Sequence, residues 1–155
     1  MSGIVYLLCG LPGSGKTTYA KTLEQQGVIR YTLDEELFKQ YGKDFPPEKY
    51  SEYEIATKQG IIERLKQDIS TGKSTVLDWG FWKRAERDDI KQLVGSLGAQ
   101  CKLLYFKTDS NELLVRVQIR EQENNHAITA DLLERFKQEF EEPSIEEGFE
   151  VPPLG

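Results

Sequence analysis

Histidine occurs once and cysteine twice among the 155 residues, no apolar run reaches eighteen residues, and positive charge is in the minority. Each shortage removes a class of protein. The lone His126 has no neighbouring ligand pattern, so it is read as an exposed residue rather than part of a metal site. Cys9 and Cys101 each fall in a predicted buried strand, where core packing is favoured over a disulfide and a reducing cytosol is expected. Without a long apolar run, or a charged leader ahead of one, the chain is expected to be soluble and cytoplasmic, with no membrane partner. The 20 lysines and arginines are outnumbered by 26 aspartates and glutamates, giving a net charge of −6 and a pI near 5.0. A nonspecific duplex-binding protein needs a basic face to displace counterions, so a nucleic-acid partner is disfavoured. Repeats and low-complexity segments are absent, and the length suits a single domain, residues 1–155, large enough to bury a core.

What the chain does have is G-L-P-G-S-G-K-T at Gly10 to Thr17, between the apolar stretch Ile4 to Cys9 and a helical pattern. Glycines at 10, 13 and 15 lack a Cβ, so the backbone can turn tightly and bring its N–H groups onto phosphate oxygens. Lys16 adds a point charge for the β and γ phosphates, the Thr17 hydroxyl suits Mg²⁺, and the helix that follows aims its positive end at the same anion. The nucleotide cradle is therefore assigned to Gly10, Leu11, Pro12, Gly13, Ser14, Gly15, Lys16, Thr17 and Thr18. Strand, loop and helix stand in the order a P-loop requires.

Downstream, helix and strand signals alternate. A helix over Lys16 to Gln26 is stopped by Gly27, and a strand over Val28 to Leu33 leads into a short helix, Asp34 to Tyr41. After a Gly- and Pro-rich turn, a long helix is predicted from about Glu48 to Thr71, with Tyr50, Tyr53, Ile61, Leu65 and Ile69 on one face. Ser74 to Leu77 and Lys102 to Phe106 read as strands flanking a helix over Arg84 to Leu97. Further helices are expected from Asp109 or Ser110 to about Asn124, and from a Thr129 cap to Pro143, with Leu132, Phe136 and Phe140 four apart. A fifth strand has only a weak candidate, Phe149 to Val151. The pattern predicts an α/β fold: a three-layer α/β/α sandwich of the P-loop NTPase type with a mostly parallel sheet of four or five strands.

In such a sheet, ligands bind beyond the carboxyl ends of the strands, which selects Asp34, Asp78 and the region of Asp109. Asp78 follows Thr75-Val76-Leu77 as a Walker B aspartate would, suited with Thr17 to hold Mg²⁺; the alternative is a turn cap. Asp34 stands where a kinase places the base that accepts a proton from the attacking hydroxyl, yet Thr32-Leu33-Asp34-Glu35 also reads as a capping box. Glu35 and Glu36 are read as solvated first-turn acids. Arg116 and Arg120 share a helix face beside Leu113 and Val117, which points them inward or across a cleft, where phosphate or Glu112, Glu121 and Glu123 are the available anions. Arg84 and Arg87 oppose the dipole of the helix they open, which calls for a compensating anion: Asp88, Asp89 or a substrate phosphate. Trp79, Phe81 and Trp82 either line an acceptor pocket or pack at the sheet edge.

These motifs carry a family resemblance. The P-loop, L-D-E at Leu33 to Glu35, L-D-W-G-F-W-K-R-A-E-R at Leu77 to Arg87 and F-E-E-P-S-I-E-E-G-F-E-V near the end resemble the small P-loop kinases described as AAA-type ATP-binding proteins. That group is related to polynucleotide kinase, zeta toxin and chloramphenicol phosphotransferase. The resemblance implies ATP-dependent phosphorylation of a hydroxyl, with ATP and Mg²⁺ as cofactors. By that similarity Asp34 matches the catalytic aspartate, Asp78 the second-strand-pair acid, Arg116 and Arg120 the arginines of a small helical lid at about 112–130, and Arg87 an arginine near the substrate site. Taken with the residue readings above, Lys16 and the lid arginines are expected on the transferring group, and Arg84, Trp79, Phe81 and Trp82 on the acceptor side. The lid differs from relatives such as adenylate kinase, since Glu121 to Ala127 adds no arginine. The expected acceptor is a hydroxyl-bearing small molecule or nucleoside-like compound; a 5′-hydroxyl polynucleotide kinase and an ATP-operated regulator without a phosphorylated product are the alternatives. A GTPase is disfavoured, because N-K-x-D is missing and Asp78-Trp79-Gly80 is not D-x-x-G.

Overall fold

The apolar run Ile4–Cys9 forms β1, one of two strands inside the sheet. The computed structural model describes residues 3–11, 13–107, 134 and 137–152. In it β1 is followed by α1 (Lys16–Gln25), β2 (Ile29–Thr32), α2 (Leu33–Tyr41), a 3-10 turn at Pro47–Lys49 and α3 (Tyr50–Ser70). Next come β3 (Thr75–Gly80), α4 (Arg84–Ser96), β4 (Gln100–Tyr105) and a second 3-10 turn, Ile145–Glu147. Among the described residues there is one four-stranded sheet, parallel throughout, in the order β2-β3-β1-β4.

Strand periodicity sorts the core into two layers. Val5, Leu7 and Cys9 of β1 face one side with Leu77, Leu103, Ile61 and Leu65 of α3, and Ile90 and Val94 of α4. Leu8 faces the other side with Val76, Leu104, and Ala20 and Leu23 of α1. Helices therefore cover both faces, which is why β1 and β3 read as near-continuous apolar runs instead of alternating ones. No helix among the described residues is long and apolar enough to cross a membrane.

Several boundaries differ from the sequence expectation for local physical reasons. Strand β3 runs on to Gly80, so Asp78 and Trp79 lie within it; the register against β1 passes from Leu8 opposite Asp78 to Cys9 opposite Gly80, a bulge that leaves Trp79 out of the pairing. The expected capping box does not form. Thr32 is the N-cap of α2 but makes no side-chain capping bond. Its hydroxyl instead donates to Asp78 Oδ2 at 3.1 Å, and Glu35 takes Arg30 at 2.6 Å. On α3 only Thr57, Ile61 and Leu65 are buried. Tyr53 stacks on Tyr41, ring centroids 3.9 Å apart, so the first turns of α3 stand away from the sheet. The weak strand candidate at 149–151 forms one parallel bridge, Glu150 beside Leu104, on the free edge of β4.

Candidate active site

The loop after β1 is shaped by backbone that glycine tolerates. Gly13 and Gly15 have φ of 82° and 97°, a region costly for a residue with a Cβ. A Cβ on Gly10 would lie 2.7 Å from Ser14 Oγ and 3.0 Å from the Phe106 carbonyl oxygen, so no larger residue fits the start of the loop. Lys16 Nζ, at the first position of α1, donates to Leu11 O at 2.9 Å and lies 3.5 Å from Ser14 Oγ, folded over its own loop. Behind it, Thr17 Oγ1 donates to Asp78 Oδ2 at 2.7 Å, the same oxygen that Thr32 reaches. Asp78 is 4% exposed, so the ends of β1, β2 and β3 converge on one buried carboxylate. This set consists of oxygen donors, which suits a hard divalent cation, and the glycine-shaped loop beside it suits a phosphate chain.

Gly80, Phe81 and Trp82 staple this loop to the rest of the fold. Gly10 N–H donates to Gly80 O at 3.0 Å, and Trp82 Nε1 donates back to Gly10 O at 3.2 Å. Between them Phe81 holds φ of 48°, a conformation that persists only when surroundings over-determine it. Here they do: its ring is fully buried and stacked on Trp79, and its carbonyl accepts from Arg87 Nη1 at 2.7 Å and from the Cys9 thiol at 3.3 Å. Burial pushes the Cys9 thiol up to about 12, so it stays protonated and able to donate.

Arg87 is thereby relocated from the acceptor side, where the sequence put it, to the core. Its side chain is 0% exposed, and its compensating anion is neither Asp88 nor Asp89 but Glu147, sixty residues on: Nε to Oε1 is 2.7 Å and Nη2 to Oε2 is 3.2 Å. Burial would raise the Glu147 carboxyl, but hydrogen bonds from Arg87 and the Ser144 N–H, with the charges of Arg87 and Lys91, hold it down at about 2. Arg84 is exposed and pairs with Glu146 and Asp88. Phe81 is likewise core.

A cleft of about 580 Å³ opens in front of the loop. Lys16, Thr17 and Asp78 line it beside the loop; Asp34, Tyr50, Glu54, Lys58, Trp79, Trp82, Lys83, Glu86 and Glu139 form the remainder with Thr32, Leu33 and Gly80. Lys58 bridges Glu54 (3.1 Å) and Glu86 (2.9 Å) and sits 5.7 Å from the Trp79 ring centroid, while Trp79 Nε1 donates to Glu86 at 3.1 Å. Lys83 Nζ donates to the Glu139 carbonyl at 2.8 Å. Burial, then the charges of Asp34 and Glu54, push the Tyr50 hydroxyl upward, so it remains a neutral donor.

A family model described as an AAA domain matches residues 5–143, which takes in the four strands but for Ile4, and every residue lining the cleft. The chain belongs to this AAA domain family. No curated protein matches the sequence. Among solved structures, the AAA domain resembles a chain of the Pnkp1/Rnl/Hen1 RNA repair complex with a TM-score of 0.76 at 18% identity, covering 89% of this chain and 44% of that one. It thus spans less than half of that relative. It also resembles a gluconokinase from Sinorhizobium meliloti 1021 (TM-score 0.61, 15% identity, 97% and 81% covered). A sugar kinase from Janibacter sp. HTCC2649 is similar too (0.67, 20%, 98% and 85%). At these identities the likeness establishes a P-loop kinase-like fold.

Of the residues selected from sequence, this AAA domain brings Lys16, Thr17, Asp34, Asp78, Trp79 and Trp82 to one cleft. Pro12, Arg116, Arg120, His126 and the helix expected from Asp109 or Ser110 to about Asn124 lie outside the described residues, as does most of the helix expected from Thr129 to Pro143, which is helical at 134 and 137–139 where it is described. The sequence reading passed over Tyr50, Glu54, Lys58, Lys83 and Glu86. The first three are four residues apart on α3, and that charged continuation of an apolar stripe was the available signal.

Proposed function

We propose that this protein is an ATP-dependent phosphotransferase acting on a hydroxyl of a small-molecule acceptor. The observation that carries the reading is a single cleft lined by Lys16, the hydrogen-bonded Thr17–Asp78 pair and Asp34 on the first turn of α2. ATP would lie with its phosphates along Gly10 to Thr18. Lys16 would leave Leu11 O to neutralise the β and γ phosphates. Asp34 would accept the proton of the acceptor hydroxyl as its oxygen bonds to the γ-phosphorus, while the bond to the bridging oxygen breaks and ADP leaves. Thr17 and Asp78 are the residues to hold Mg²⁺, whose charge, when bound, eases the build-up of negative charge on the phosphates. Arg116 and Arg120 are assigned their neutralising role on sequence grounds alone.

Likeness to a chain of an RNA repair complex favours a second reading, phosphorylation of a nucleic-acid 5′ end. A screen for ATP consumption across hydroxylated metabolites, with a 5′-hydroxyl oligonucleotide included, separates the two. ATP hydrolysis that ignores every acceptor and survives Asp34→Ala would defeat both and leave an ATP-operated regulator.

A further inference from the structure

The acceptor end of the cleft carries a charge pattern that narrows the acceptor class, resting on the phosphotransferase reading above. With Lys16 and Asp78 set aside for the phosphates, the charged side chains lining it among the described residues are the carboxylates of Asp34, Glu54, Glu86 and Glu139 against two lysines, Lys58 and Lys83. That is a formal excess of two negative charges. Lys58 is clamped between Glu54 and Glu86 over the Trp79 ring, and Lys83 gives one of its three donors to the Glu139 carbonyl, which leaves the excess of carboxylates in place. Among the described residues an acidic acceptor would meet more carboxylates than ammonium groups at this end, a like-charge encounter. Hydroxyl groups find the opposite: carboxylate oxygens accept from them, and Trp82 supplies aromatic surface for C–H faces.

We propose that the acceptor is a polyhydroxylated compound bearing no negative charge, a neutral sugar or polyol or its amino derivative, and neither a sugar acid, a sugar phosphate nor a nucleic-acid end. The pattern acts by repulsion of the wrong charge as much as by attraction of the right shape.

The chain's two tryptophans are Trp79 and Trp82, and both line this cleft, so intrinsic fluorescence reads its occupancy without any turnover. The full chain, with Mg²⁺ and a non-hydrolysable ATP analogue, is titrated with hexoses, pentoses, alditols and amino sugars. Each is paired with its carboxylate or phosphate counterpart, and a 5′-hydroxyl oligonucleotide is added to the set. The uncharged or amino member of at least one pair is expected to bind at least about tenfold tighter than its acidic counterpart. Glu54→Gln, which removes one negative charge and one of the two carboxylates holding Lys58, is expected to shrink that ratio severalfold. Tighter binding of the acidic members or the oligonucleotide overturns the inference, and so does a fluorescence signal unmoved by every neutral and amino member at tens of millimolar. Neutral binding with no phosphorylated product under ATP would leave the inference standing and defeat the kinase reading; product formed on acidic members alone would do the reverse.

Discussion

Replacing Glu147 by glutamine should cost this fold about 3 kcal/mol, by two routes that meet. A carboxyl held at about 2 against its ordinary 4.5 corresponds to roughly 3 kcal/mol of favourable interaction with its charged form. Independently, removing one partner of a buried ion pair typically costs about 3–5 kcal/mol, because the other charge is left without compensation. Glutamine keeps the shape but not the bonding. Both carboxylate oxygens accept, one from Arg87 Nε and the other from Arg87 Nη2 and the Ser144 N–H at 2.8 Å. An amide must therefore turn an NH₂ toward a donor whichever way it faces.

Urea denaturation followed by far-UV circular dichroism measures the loss, and a thermal melt should fall by roughly 6–12 °C for a chain of this size. A loss below about 1 kcal/mol would refute the reasoning, since it would mean that water reaches the pair as it reaches a surface bridge. The double variant Arg87→Met, Glu147→Leu should regain part of the loss, because no buried charge remains, though Phe81 O and Ser144 N–H lose a partner. Acid adds a second check. The folded carboxyl titrates below the unfolded one, so the unfolded state takes up the proton first as pH falls; the pair's contribution is complete above about pH 5 and is lost toward pH 2. Over that window the gap between wild type and Glu147→Gln should close.

Lys16→Ala should abolish phosphoryl transfer, at least about a hundredfold in kcat, while leaving the melting temperature within a few degrees; a coupled ADP-release assay and a thermal melt check both halves. Asp34→Asn should lower kcat by about 10²–10⁴ with little change in ATP affinity if Asp34 is the base, and full activity would reduce it to a helix-turn residue. Asp78→Asn should raise the Mg²⁺ concentration needed for half-maximal activity, read by titrating the metal at fixed ATP. Gly80→Ala should weaken nucleotide binding, measured by calorimetry, because φ is 82° there and a Cβ would meet Trp82 Nε1 at 2.9 Å, prising that indole from Gly10 O.

Strands and helices were legible where an apolar run or a 3.6-residue period acts through near neighbours: β1 was read to the residue, and α1 and α4 to within one at their ends. Legibility failed where the partner is remote in sequence. Arg87 at a helix start calls for an anion by a local dipole argument, and nothing local distinguishes a phosphate from a glutamate sixty positions away. Thr32 and Glu35 have the spacing of a capping box, but Asp78 and Arg30 compete for the same groups and win, since a buried carboxylate left without donors would cost more than an uncapped helix end. Asp78-Trp79-Gly80 looked like the end of a strand because the bulge opposite Cys9 is a property of two paired strands. The wall of the cleft was hidden for a related reason: Tyr50 continues the spacing of Ile61 and Leu65, and only the tilt of α3 away from the sheet takes it out of the core.

The phosphate loop is the most local feature of the sequence, yet its geometry is fixed from afar. Gly10 is held on both sides by Gly80 and Trp82, seventy and seventy-two residues downstream. The strained Phe81 between them is secured by Arg87, which Glu147 holds in turn, and Glu147 sits in a turn whose neighbour Glu150 bonds to Leu103 and Tyr105 of β4. A chain of direct contacts thus runs from the C-terminal segment to the first glycine of the loop, and each link is a hydrogen bond or ion pair with little room to yield. A motif match therefore reports that a loop is able to bind phosphate, while the aim of its lysine and threonine depends on residues the motif never mentions. Loosening Glu147 should be felt at Gly10 before it is felt in the sheet, because the sheet rests on apolar burial and the loop rests on this chain.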